Sequence, residues 1–136
     1  MKPIYIIIPA CLLLACIFAY PYLLDWEWSV AQKKSFETRA LAFDPKKDTD
    51  FRFAPTKPIP PKGPVLNEEQ AKEAAKSIWT EIYGAERTAF EEPILAVEAK
   101  GYWHVCGTLP RNWAGGVANL IITKEDGRVI EVWHEQ

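Results

Sequence analysis

His104, His134, Cys106, Asp126 and the adjacent pair Glu91-Glu92 are side chains whose types suit acid–base or nucleophilic chemistry. Their spacing does not assemble a catalytic pattern. Neither histidine sits in a His-Glu-x-x-His metal motif, and no Gly-x-Ser-x-Gly elbow or phosphate loop occurs. Glu91 and Glu92 would point to opposite sides of an extended chain, which makes them a poor acid/base pair. Asp126 falls in a turn. His104, as an isolated imidazole, needs an orienting partner before it can serve as a general base. Cys106 has no partner base and reads as a small buried hydrophobe on a strand. The residues point away from an enzyme, and no cofactor or metal is expected.

Recognition chemistry is better represented. Arg111-Asn112-Trp113 projects from a stretch bounded by Pro110 and by Gly115-Gly116. Trp and Arg are the residues that most often dominate interface energies, so these three are the candidate partner-binding residues. The competing expectation is that Trp113 folds back to close one end of a small sheet, since an aromatic at a loop tip is either buried or used.

The elements that must hold this loop can be read from periodicity and turn chemistry. Asn67 is a good N-cap with Gln70 three residues later, and Glu68 and Glu69 complement the positive end of a helix dipole. Ala71, Ala74, Ala75, Ile78 and Ile82 then recur at helical spacing, and Gly84 supplies the stop. Four strands follow. Residues 94–99 pair with 102–106 through the tight Lys100-Gly101 corner, and 117–123 pair with 128–134 through a turn ending in Asp126-Gly127. The expected fold is α+β, one main helix packed on a curved four-stranded antiparallel sheet. About 70 residues lie near the lower limit of independent stability, so Trp79, Tyr83, Phe90, Trp103 and Trp133 are expected to supply burial.

One segment carries a family resemblance. Trp103-His104-Val105-Cys106-Gly107-Thr108-Leu109-Pro110, followed by Gly115-Gly116-Val117, with Glu92-Pro93 before and Asp126-Gly127-Arg128-Val129 after, resembles bacterial immunity proteins of polymorphic toxin systems. These have a nuclear-transport-factor-2-like fold, and the likeness spans roughly residues 67–134. It implies a cognate toxin protein as partner, bound without turnover. The chain departs from the family in showing one helix before the sheet where the full fold uses several. That suggests a reduced, cystatin-like form without a deep pocket.

Ahead of the domain, residues 4–24 form an uncharged apolar run of 21 residues. At about 1.5 Å per residue this could just cross a hydrocarbon core of roughly 30 Å. Three readings stand: an uncleaved anchor, with Trp26 and Trp28 as interfacial aromatics; a lipoprotein signal, with Leu13-Leu14-Ala15-Cys16 resembling a lipobox and Cys16 as the lipid attachment site; or a cleaved export peptide. Residues 1–25 are thus an anchor or export signal. Residues 26–43 are a juxtamembrane helix that either continues the span or packs on the domain. Residues 44–64, with six of the chain's eleven prolines, read as a semi-rigid linker. The expected location is a bacterial inner membrane with the 65–136 domain outside the cytoplasm, although the Lys and Arg count around the run leans the other way.

Charge divides along the same boundary. Residues 26–64 hold eight basic and five acidic side chains, a net of +3, while 65–136 hold seven and twelve, a net of −5. An acidic domain does not suit nucleic acid, whose phosphates require basic patches. It suits a basic partner or serves solubility alone. The expected function is an immunity protein that neutralises a toxin by steric occlusion. The alternative is a membrane-tethered binding or inhibitor module of the cell envelope without a toxin partner.

Overall fold

A computed structural model describes residues 10–45, 47 and 54–136. Three helices, α1 (Ala10–Ala42), α2 (Glu68–Tyr83) and α3 (Ala85–Phe90), precede four strands, β1 (Leu95–Ala99), β2 (Tyr102–Cys106), β3 (Ala118–Thr123) and β4 (Val129–His134). The strands form one antiparallel meander in the order β1-β2-β3-β4.

Local chemistry sets the boundaries. The Asn67 side chain accepts the Gln70 amide at 2.9 Å, and Gln70 Oε1 accepts the Leu66 amide at 2.8 Å, so α2 starts where its free N–H groups find partners. It ends at Gly84, whose φ of 93° suits a residue without a β-carbon. Lys100 and Gly101 both take positive φ, 54° and 85°. That is the two-residue corner whose twist matches the strands it joins. A register shift between Ile121 and Ile122 leaves Ile130 as an extra residue on β4.

The alternation of side chains along the strands divides the sheet into two covered faces. On the first, Ala71, Ala75, Ile78 and Trp79 of α2 pack with Trp103, Val105, Leu120, Ile122 and Val129. Small residues early in α2 let the helix lie close to the sheet. Trp79 and Ile122 are completely buried there. On the second, the C-terminal half of α1 lies over the sheet, with Phe36 and Ala40 buried. Phe43 just beyond it meets His104 edge-on at 4.8 Å and Tyr102 at 5.7 Å. Every residue of β3 is consequently buried.

Several expectations change here. Residues 26–43 both continue the N-terminal helix and pack on the domain. The second face is therefore covered, and the fold has helices on both sides of the sheet where a single one was expected. Helix α3 was not anticipated, because six residues are too short for a periodic signal. Phe90 is exposed and Ile82 is 47% exposed, so neither adds to the core. The second half of the expected linker also packs: Ile59 touches the core and Gly63 N donates to Asp126 O at 3.2 Å, next to the Val65 N bond to Lys124 O at 2.9 Å that opens the domain.

Among the described residues no helix is long and apolar enough to cross a membrane. Residues 4–9 of the apolar run lie outside the described residues. The large apolar side chains of α1 from Leu14 to Leu23 are exposed.

Candidate functional site

The loop between β2 and β3 is fastened at its neck from three directions. Gly107 N donates to Ala118 O at 2.9 Å, closing the last rung of the sheet. From the α3 side, Thr108 N donates to Glu91 O at 2.8 Å and Thr108 Oγ1 to Pro93 O at 2.9 Å. From α1, the Gln32 amide makes a double contact with Leu109, accepting its N–H and donating to its carbonyl, both at 3.1 Å. Trp28 Nε1 adds a second donor to that carbonyl at 2.9 Å. Gly116 lies directly on the Glu135 backbone, where a β-carbon would stand 2.1 Å from the carbonyl carbon.

Beneath the neck sits a buried carboxylate. Glu91 is 1% exposed, and such a group persists in a low-dielectric site only when its oxygens are satisfied. Oε2 accepts Ala118 N at 2.6 Å, while Oε1 accepts Arg87 Nε at 2.9 Å and lies 2.8 Å from His134 Nε2. Arg87 Nη2 approaches the same imidazole nitrogen at 3.1 Å, and His134 Nδ1 lies 2.6 Å from Glu135 O. Burial, with the Glu91 charge as a lesser cause, raises the neighbouring Tyr83 hydroxyl above its ordinary range. One carboxylate thus ties together α3, the start of β3 and the end of β4.

The tip behaves differently from the neck. Arg111 Nε donates to Asp25 Oδ1 at 3.1 Å, which leaves the guanidinium partly exposed against α1. Asn112 is exposed. Trp113 is 59% exposed, and its ring meets that of Phe90 edge-on at 4.8 Å. It leans on α3 without closing the end of the sheet. Fastened neck and open tip give a preorganised surface, where little side-chain and loop freedom remains to be lost on binding.

Of the candidates for acid–base and nucleophilic chemistry, Glu91 and His134 meet beneath the neck, and the others are dispersed. His104 is 6% exposed under α1, and burial lowers its pKa to about 4. Its Nε2 has no hydrogen-bond partner among the described residues. Cys106 is buried, and loss of hydration pushes its thiol up to about 12, which makes it inert. Asp126 is held below the usual carboxylate range by hydrogen bonds from the Thr123 hydroxyl and then the Arg128 amide, a turn contact. Cys16 is exposed on α1. Between α1 and the sheet a cleft of about 400 Å³, lined mainly by Phe36, Ala40, Phe43, His104, Ile121 and Trp133, stays open. Among the described residues no His, Cys, Asp and Glu cluster could hold a metal ion.

Sequence reasoning placed Arg111, Asn112 and Trp113 on one loop, as observed, but missed the groups that hold it. Glu91 carries no periodic signal and sits beside exposed Glu92. The one hint was Gly107 at a strand end, where glycine often marks a close backbone approach.

A helix-covered antiparallel meander with a fastened, aromatic-tipped loop defines a domain of the α+β class. Residues 70–136 match the model of the NTF2 fold immunity protein family, which supports an NTF2-like immunity domain. The match supports an immunity role in toxin systems, with a cognate toxin as the partner the family implies. The helices on both faces accord with the NTF2-like fold. No curated protein and no solved structure matches the chain.

Proposed function

We propose that the protein binds its cognate toxin and blocks it sterically, using the tip of the β2–β3 loop as a principal contact. The observation that carries this reading is Trp113, left 59% exposed on a loop whose neck is fastened by Gln32, Trp28 and Glu91. A large, rigid aromatic on a fixed support contributes contact area at low entropic cost, the property of interface hot spots. Inhibition involves no turnover.

Membrane attachment through residues 4–24, or through an acyl chain on Cys16, with the domain outside the cytoplasm, forms the second part of the proposal. What supports it is the uncharged run and the exposure of Leu14, Ile17, Phe18, Tyr20, Tyr22 and Leu23, which no other part of the described protein covers. A toxin met there would act on the envelope.

Co-expression with the toxin encoded beside this gene tests the first part. Protected cells and a stable complex are expected, whereas failure to protect would overturn it. Protease accessibility on whole cells tests the second: loss of the 65–136 domain to external protease after outer-membrane permeabilisation is expected, and complete protection would reject it.

A further inference from the structure

Beside Trp113 the surface forms a recess of about 510 Å³ lined by Tyr83, Gly84, Glu86, Arg87, Phe90 and Trp113. Three aromatic rings border it, and Phe90 and Trp113 are both exposed while held edge-to-face at 4.8 Å. Its wall carries one cation and one anion, and they are not equivalent. The Arg87 guanidinium is already committed, with Nε on the buried Glu91 carboxylate and Nη2 against His134, so its charge is matched from within. Glu86, in the first turn of α3, is exposed and makes no ion pair among the described residues. Helix α2 also ends at this recess, with no basic residue in its last turn, and the short α3 begins at the same Gly84. Aromatic faces and an exposed carboxylate without an ion pair among the described residues each favour a cation, and their effects reinforce one another.

We infer that this recess receives a lysine or arginine side chain of the toxin, and it does so alongside the Trp113 contact. The inference rests on the toxin-binding function proposed above. Complementary charge extends beyond the recess, since the 65–136 domain carries a net charge of −5 and would attract a basic partner surface. A cationic side chain laid across Phe90 and Trp113 would reach Glu86 while keeping its apolar stem against the rings.

The test uses the full-length protein in a mild non-ionic detergent, with the Trp113 indole N–H followed by NMR. Titration with N-acetyl-arginine methylamide should give a saturable shift, and its neutral isostere N-acetyl-citrulline methylamide should bind at least tenfold more weakly. Glu86→Gln should abolish that preference, and Phe90→Ala should weaken both. Equal responses to the two probes, or a preference that survives Glu86→Gln, would overturn the inference. Toxin challenge then separates the two claims. If the wild type protects cells and Glu86→Gln/Phe90→Ala does not, with the variant's fold intact by its spectrum, the recess is a toxin contact. If both protect equally, the recess inference fails and the immunity function stands. If the wild type itself fails to protect, both fall.

Discussion

Gly107 lies so close to Glu91 that a β-carbon at position 107 would stand 2.6 Å from Oε2 and 2.9 Å from the Glu91 β-carbon. The contact makes the glycine and the buried carboxylate a single device: the missing side chain is the space into which Glu91 turns to meet Ala118 N.

Gly107→Ala should therefore destabilise the domain by about 2 kcal/mol, the scale of overpacking in a dense interior. Because the clash is with one side chain, combining it with Glu91→Ala should cost less than the sum of the two single changes. Denaturant unfolding of the four species of the cycle measures this, and strict additivity would show that the two residues act independently.

Glu91→Gln should cost about 3 kcal/mol, near the low end for breaking a buried pair, because Arg87 is half-exposed and water can take over its solvation. The substitution keeps the volume, so the loss would report charge and acceptor capacity. Hydrogen exchange should show faster opening at Ala118 and Thr108, whose amides bond to Glu91.

His104 predicts a pH dependence. Its folded pKa of about 4 lies below the ordinary 6.5, so below 6.5 the unfolded chain binds the proton more readily than the folded one. Stability is full above pH 6.5 and falls as pH drops towards 4, by at most about 3 kcal/mol. His104→Leu should flatten that part of the curve without loss at pH 7, since Nε2 forms no hydrogen bond among the described residues. Thermal melts of wild type and variant from pH 4 to 8 make the comparison, and parallel curves would assign the effect elsewhere.

Trp113→Ala with Arg111→Ala should weaken toxin binding by about 2 kcal/mol or more if the tip is a hot spot. An unchanged dissociation constant with an intact fold would remove the loop from the interface.

Gln32→Ala separates positioning from contact. Gln32 lies on α1 and holds Leu109, two residues before Arg111, by two hydrogen bonds. The variant should keep the fold and raise the dissociation rate of the toxin by several-fold as the loop loses its preorganisation. Surface plasmon resonance would show this, and an unaltered rate would mean the remaining contacts fasten the neck alone.

Much of this domain was written into local sequence. The Asn67 cap, the Gly84 stop, the Lys100-Gly101 corner and the alternation along 102–106 and 118–123 each depend on residues within a turn or two, so α2, the four strands and the place of Arg111-Asn112-Trp113 follow from short-range chemistry. Tertiary structure decided what those elements meet. That α1 covers the second face, that Glu91 turns inward beside an outward Glu92, that Phe90 stays exposed and that Trp113 is presented without closing the sheet all depend on contacts between residues far apart in the chain. Whether a carboxylate is buried is settled by the partners that reach it. Arg87 lies one helical turn away, but Ala118 and His134 reach it only once the sheet has formed.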